Sequence, residues 1–361
     1  MRKLLNTLYV TSPDSYLTRD GENILVKVGD EIKLRIPAHN LEGIVCFNYA
    51  GASPSLMGLC AEKGILLSFL SPNGHFYARV TGEVNGNVLL RRKQYRVADN
   101  ISEASLFARN FIIGKVYNTR AILQRALREY KNEVNKQELQ IAANYLKFQL
   151  MRLDDPLDMD TIRGIEGESA RMYFSCFDHL IVSQKDSFYF NERNRRPPLD
   201  NVNALLSFVY TLLMHDVQAA LETVGLDPYV GFLHRDRPGR ASLALDLMEE
   251  LRPYLADRMI LTLINRHQVD AKGFVKKESG AVIMDDETRK IVITAWQKRK
   301  QEEITHPYID EKIPVEERNS IPLIAKGNEI IWIVGDKIND KFKVTDNTNN
   351  VLKLAVEKFS P

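Results

Sequence analysis

Residues 203–225, NALLSFVYTLLMHDVQAALETVG, are apolar on nearly every face as far as His215. A helix of that kind has no polar side to offer water, so it must be packed all round. Such a helix organises a bundle, and the chain must therefore contain a sizeable helical body. With 361 residues, 44% of them hydrophobic, it can bury a full core and has length enough for two domains.

The helical period starts near Ser102, in SEASLFARNFIIGKVYNTRAILQRALREY, and runs almost unbroken to about residue 305. Ahead of it, LYVTS, YLTRDG, NILVKVG, EIKLRIP and GIVCFN are short, rich in Val, Ile, Leu and Tyr, and punctuated by Gly, Asp and Pro, the pattern of strands. SPSLMGLCAEKG reads as one intervening helix, with a Ser-Pro start and a Gly64 stop. GILLSFLSPNGHFYARVTG adds two strands around a Pro-Asn-Gly turn. The last 45 residues break the pattern again, alternating apolar runs with Lys-Gly, Gly-Asp and Asn-Asp turns, as a small β module does. Ile331, Trp332, Ile333, Phe342, Val344 and Leu352 would be its own apolar set. The expected class is α+β: an N-terminal β domain over 1–97, a mainly α-helical domain over 98–315, and a short C-terminal β-like tail over 316–361.

No run approaches the 18 to 20 consecutive apolar residues of a membrane span, and the N-terminal segment turns polar without a small-residue cleavage site. Cys46, Cys60 and Cys176 are scattered, odd in number and free of CxxC spacing, which suggests neither a disulfide framework nor a zinc site. A cytoplasmic protein without membrane contact is expected.

The net charge of +2 announces no polyanion partner, so any nucleic-acid surface must come from local clusters. Three exist: Arg91, Arg92, Lys93 and Arg96; Arg193, Arg195 and Arg196; and Lys298, Arg299 and Lys300. Each alone is equally consistent with a solvated face.

Two segments could carry chemistry. In RGIEGESARMYFSCFDHLI, Ala170, Tyr173, Phe174, Phe177 and Ile181 form one helical stripe, and Glu166 lies on it at i−4 from Ala170. An inward carboxylate must be paired, metal-bound or protonated. The alternative is a residue of the helix N-terminal turn, where negative charge is favoured. Glu168 points elsewhere and serves as the control. In GFLHRDRPGRASLALDLMEELRP, His234 precedes a polar loop, and Ser242 can begin a helix placing Asp246 and Glu249 on one face. Imidazole plus carboxylates suits Mn²⁺ or Mg²⁺ in phosphoryl transfer. The same acids also fit an exposed polar face opposite Leu243, Leu247 and Leu251. In NERNRRPPLDNVN the three arginines could clamp a phosphodiester, or the loop could simply cap the next helix through Asp200, Asn201 or Asn203. No GxxxxGK[ST], GxSxG, HExxH or zinc-finger spacing occurs.

In this order, IEGESARMYF, RNRRPPLDNVNALLSFVYTLL and GFLHRDRPGRASLALDLMEELRP resemble the CRISPR-associated integrase of spacer acquisition, an antiviral defence enzyme, over about residues 1–315. The opening MRKLLNTLYVTSPDSYLTRDGENILVKV is most similar to type I-C members. The resemblance implies a metal-dependent DNA endonuclease and integrase using Mg²⁺ or Mn²⁺. Glu166, His234 and Asp246 would be its catalytic metal ligands, Glu249 a further acid, and Arg193, Arg195 and Arg196 DNA contacts. It also implies a homodimer that joins the second adaptation protein in a heterohexamer on spacer and repeat DNA.

Beyond HPYIDEKIPV the resemblance changes partner. The elements IPLI, IIW and FKVT are similar to the C-terminal module of tRNA(Ile)-lysidine synthetase, while that enzyme's SGGxDS loop is absent. The exchange leaves room for two other functions: a noncatalytic DNA-binding scaffold impaired in assembly, or an RNA-binding hybrid.

Overall fold

The computed structural model describes residues 6–47, 51–82, 88–129 and 133–302, with the backbone alone at 133–135. In the tail it describes the backbone of 304–305, 312–313, 323–326 and 329–333. The chain separates into two compact units, Met1–Lys300 and Gln301–Pro361.

The first unit opens with strands where the turn punctuation predicts them. β1 (Thr7–Val10), β5 (Gly43–Cys46) and β7 (Leu66–Leu70) are parallel neighbours, and β8 (Phe76–Val80) closes that sheet antiparallel to β7. β2 (Ser15–Asp20), β3 (Asn23–Val28), β4 (Glu31–Pro37) and the short β6 (Gly51–Ala52) form the second sheet, in the order β4-β3-β2-β6. α1 (Pro54–Lys63) is capped by Ser53, whose hydroxyl accepts the Leu56 N–H, and it ends on Gly64 in the left-handed region, where a side chain would be strained. Leu17, Ile24, Ile44, Leu56, Leu59 and Leu67 make a core shared by α1 and the two sheets.

The helical body begins earlier than its periodicity suggests. RRKQYR lies inside α2 (Val88–Asp99), because buried Gln94 docks that helix by donating to the carbonyls of Asp227 and Val230. α3 (Ile101–Glu129) and α4 (Glu133–Arg152) follow as a long pair, and then α5 (Met159–Ser175). The aromatic stripe expected to run on to Ile181 is broken at Ser175, and Phe177–Leu180 form a 3₁₀ turn. There Phe177 packs on Phe190, with ring centroids 4.9 Å apart. α6 (Asn201–Thr223) is the central helix, capped by Asp200 accepting the Asn203 N–H. By length and mean hydropathy α6 could cross a membrane, which a count of consecutive apolar residues misses. Here those faces are turned to the core: Val202, Leu205, Leu206, Val209, Leu212 and Leu213 are all buried.

Irregular chain interrupts the helices more than expected, chiefly at 181–200 and 224–241. α7 (Ser242–Leu251) passes through a π-helical turn at Arg252–Asp257 into α8 (Arg258–Asn265). A hairpin of β9 (Phe274–Lys276) and β10 (Val282–Met284) then precedes α9 (Asp286–Lys300).

In the second unit, Ile304–Thr305 pairs with Lys312–Ile313, and Leu323–Lys326 pairs with Glu329–Ile333, both antiparallel. Ile331, Trp332 and Ile333 fall in the last strand, while Phe342, Val344 and Leu352 lie outside the described residues.

Candidate metal centre

α5 starts on Asp158, whose carboxylate accepts the N–H groups of Asp160 and Thr161, so the helix N-terminus is served without Glu166. Glu166 stands two turns further in, half-buried beside the buried face of Ile162, Ile165, Ser169 and Tyr173. Glu168 turns outward and accepts from Tyr145 Oη and Gln149 Nε2, each at 3.0 Å.

α7 settles its own question of facing. Asp246 is 0% exposed and Glu249 2%, so the acids lie on the buried side of the helix rather than on a polar outer face. Asp246 is completely engaged: Oδ2 accepts from the N–H groups of Phe232 at 2.6 Å and Leu233 at 2.9 Å. Oδ1 accepts from His234 N at 3.0 Å and pairs with His234 Nδ1 at 2.6 Å. Four partners occupy the lone-pair directions of one carboxylate. A carboxylate acceptor places the hydrogen on Nδ1, which leaves Nε2 of His234 as the nitrogen that could bind a ligand. Gly231 makes the approach possible, since a Cβ there would sit 2.8 Å from Asp246 Oδ2 and from the Ser242 carbonyl carbon.

Glu166 and Glu249 meet on Lys115 of α3. Its ammonium contacts Glu166 Oε1 and lies 2.6 Å from Glu249 Oε2, so a single cation holds both carboxylates. Glu249 also takes Arg252 Nη1 at 2.7 Å. Burial alone would raise the Glu249 carboxyl, but Arg252 and Lys115 outweigh it and hold the group at about 2. Burial likewise works against the charged Lys115, yet Glu249 and Glu166 keep its affinity for the proton above the ordinary lysine value. Behind Glu249, the guanidinium groups of Arg252 and Arg193 stand 5.2 and 5.4 Å from the centre of the Tyr210 ring. Tyr210 Oη donates to the Asp257 carboxylate at 2.6 Å, and burial pushes Asp257 up to about 6.

The arginine loop divides. Arg193 is half-buried and bound to Asn203 Oδ1 at 2.7 Å and Ser207 Oγ at 3.2 Å, which ties the loop to α6. Arg195 and Arg196 are exposed. The third basic cluster is largely internal: Arg299 and Lys300 are buried, Arg299 donating to the Tyr254 carbonyl and Lys300 pairing with Asp216 at 3.0 Å. Sequence reasoning missed Lys115, Arg252 and Tyr210, and it named Asn203 only as a possible helix cap. Lys115 left one signal, a lone cation in the apolar run FIIGKVY, in register with the buried Ile112 and Thr119.

Among the described residues, no three His, Cys, Asp or Glu side chains already converge as a cage. The donor chemistry nonetheless fits a hard divalent ion: two carboxylates that share a cation, and an imidazole whose second nitrogen is fixed by a carboxylate.

Fold and site together define a class, that of chains with a strand-rich N-terminal lobe and a helical body whose helices and one loop carry buried acids and an oriented imidazole. The family model for the CRISPR associated protein Cas1 matches residues 8–298, and the chain belongs to that family. It is 52% identical over 315 residues to "CRISPR-associated endonuclease Cas1 1" of Chlorobaculum tepidum, covering 87% of this chain and 92% of that protein. It is 49% identical to "CRISPR-associated endonuclease Cas1 2" of Rhodospirillum rubrum, with the same two coverages. In fold it is similar to TM1797, a CAS1 protein from Thermotoga maritima, with a TM-score of 0.72 and 24% identity over 82% of this chain and 91% of that one. It is also similar to a casposase bound to integration product, with a TM-score of 0.70 and 20% identity over 84% of this chain and 85% of that one. A second model, the TilS substrate C-terminal domain, matches residues 290–355.

Proposed function

We propose that this chain is a metal-dependent DNA endonuclease and integrase, which inserts spacer DNA into a CRISPR array by transesterification. The observation that carries the reading is the joining of Glu166 to Glu249 on Lys115, with the Asp246-oriented His234 near enough to Glu249 to lower its affinity for the proton. The likeness to proteins named as Cas1 endonucleases supports it. Glu166, Glu249 and His234 Nε2 would hold Mg²⁺ or Mn²⁺, which supplies charge stabilisation at a phosphodiester. Asp246 was expected among the ligands and Glu249 as an additional acid. The four hydrogen bonds that Asp246 already accepts favour the opposite division, with Asp246 orienting the imidazole. Lys115 and Arg252 keep positive charge against the acids, which favours approach of a phosphate. A 3′ hydroxyl of the captured DNA end attacks the repeat phosphate, one P–O bond forming as another breaks, so positioning carries much of the catalysis. Water in place of that hydroxyl gives cleavage.

Arg195 and Arg196 contact the DNA backbone, and Arg193 holds their loop. A homodimer combines with the second adaptation protein in a heterohexamer; a likeness in fold to a chain of a Cas6-RT-Cas1--Cas2 complex supports the choice of partner. The three free, buried cysteines suit a cytoplasmic setting.

A strand-transfer assay with Mn²⁺, labelled DNA ends and purified partner tests the reading. Joined product is expected from the wild type, with losses of orders of magnitude in Glu166→Ala, His234→Ala and Glu249→Gln, and little change in Glu168→Ala. DNA binding without product would favour the scaffold alternative, and preferential retention of tRNA the hybrid. Equal damage from Glu168→Ala and Glu166→Ala would refute the inward assignment.

A further inference from the structure

A pair of aromatic rings, Phe107 exposed and Phe232 half-buried, stands at the His234 loop, and none of the roles above uses the rings. Phe107, on the first turns of α3, is 44% exposed. Its ring centroid lies 4.9 Å from that of Phe232, at an interplanar angle of 30°. A single exposed phenylalanine is ordinary on a protein surface. This pair differs because one of its members is locked to the centre. The Phe232 N–H donates to Asp246 Oδ2, and the next residue's carbonyl accepts from Arg163 Nε at 2.9 Å. Phe232 lies only two residues before His234, so their Cα atoms are at most about 7 Å apart. The chain then turns into Arg235, Arg237 and Arg240, and the Arg235 side chain is 75% exposed.

Rigid aromatic surface open to water, followed at once by guanidinium groups, is the make-up of a platform for single-stranded nucleic acid. Bases stack on the rings, cations track the backbone, and sequence matters little because every base has a π-face. We propose that Phe107 and Phe232 form a stacking platform for a base at the 3′ end of single-stranded DNA entering the His234 centre, with Arg235 and Arg237 meeting the adjoining phosphates. The proposal rests on the phosphodiester reading above. On the platform the terminal nucleotide is held before chemistry begins, so stacking contributes to orientation of the attacking end and requires no metal.

The test uses the full-length protein in EDTA with DNA bearing a single-stranded 3′ overhang, and 2-aminopurine either at its last nucleotide or six nucleotides inward. Wild type should quench the terminal probe and leave the inner one bright. Phe107→Ala should abolish the terminal quench and weaken binding roughly tenfold to hundredfold, the range for one stacked base. Phe107→Tyr should restore both. Phe107→Leu, which keeps the apolar volume and removes the ring, should behave as Phe107→Ala does, with an unchanged melting temperature. An abasic terminal nucleotide should cost wild type the same factor and cost Phe107→Ala little more, because the two changes remove one interaction. If Phe107→Ala binds DNA with the terminal quench intact, or if the abasic and Phe107→Ala penalties add in full, the platform is overturned while the phosphodiester reading stands. Failure of the wild type to bind any DNA would overturn both.

Discussion

Replacing Lys115 with Met tests whether this ammonium holds the acidic pair together. The methionine keeps the buried stem volume and removes the charge. The Lys115 side chain is 12% exposed and that of its partner Glu249 3%, so the pair is a buried one, and breaking such a pair by removing one member costs about 3–5 kcal/mol. Two features reduce the cost here. Arg252 remains on Glu249 at 2.7 Å, and the Glu166 side chain is 30% exposed and can turn to water. The loss should therefore lie near 2–3 kcal/mol, which in a large domain lowers the melting temperature by roughly 4–10 °C. Melting followed by circular dichroism in EDTA reads this directly. The same variant should then gain more from added Mn²⁺ than wild type does, because the uncompensated carboxylates become the better cation site. A Lys115→Met protein that melts within 1 °C of wild type in EDTA, or that gains no more from Mn²⁺, would refute the reasoning.

Gly231→Ala should push the loop away from Asp246, since its Cβ would meet Asp246 Oδ2 and the Ser242 backbone at 2.8 Å; strand transfer should fall at least tenfold while the variant still binds DNA, and unchanged turnover would show that the loop gives freely. His215 packs against Phe76 and burial holds its imidazole down to about 4 from an ordinary value of 6.5. Between those values the unfolded chain binds a proton that the native state refuses, so stability falls as pH drops from 6.5 to about 4, by roughly 2 kcal/mol after allowance for partial exposure. His215→Phe should flatten that part of the denaturation profile, and an unchanged slope would assign the acid sensitivity to other groups. Replacing Arg195 and Arg196 together by Ala should weaken DNA binding and lower its log–log salt slope by close to two units; a filter-binding series at several salt concentrations with an unchanged slope would remove both from the interface.

What could be read from the sequence was local. Ser53 and Gly64 announce the ends of α1, and the three cap candidates Asp200, Asn201 and Asn203 bracket the start of α6, because caps and turns depend on residues three or four positions apart. The apolar character of 203–214 on nearly every face required a helix at the centre of a body, and the structure packs it there. Glu166, His234, Asp246 and Glu249 could be singled out by type and spacing. Their division of labour could not, because it is set by contacts that spacing does not encode. Whether the acids of α7 face inward depends on what packs against that helix, and both faces carry leucines.

Sequence alone thus settled the α+β class and the central helix and singled out the segments proposed to carry the chemistry, since periodicity, capping and motif order are properties of a chain read along its length. Only the tertiary structure decided that Lys115, 134 residues before Glu249, joins it to Glu166, and that Asp246 serves the backbone and ring of His234. It alone also showed Arg193 bonded to Asn203 and Ser207 of α6. The physical reason is the same in each case: burial and the partners that compensate it arise where separate elements meet, and a charged side chain takes its role from what surrounds it there.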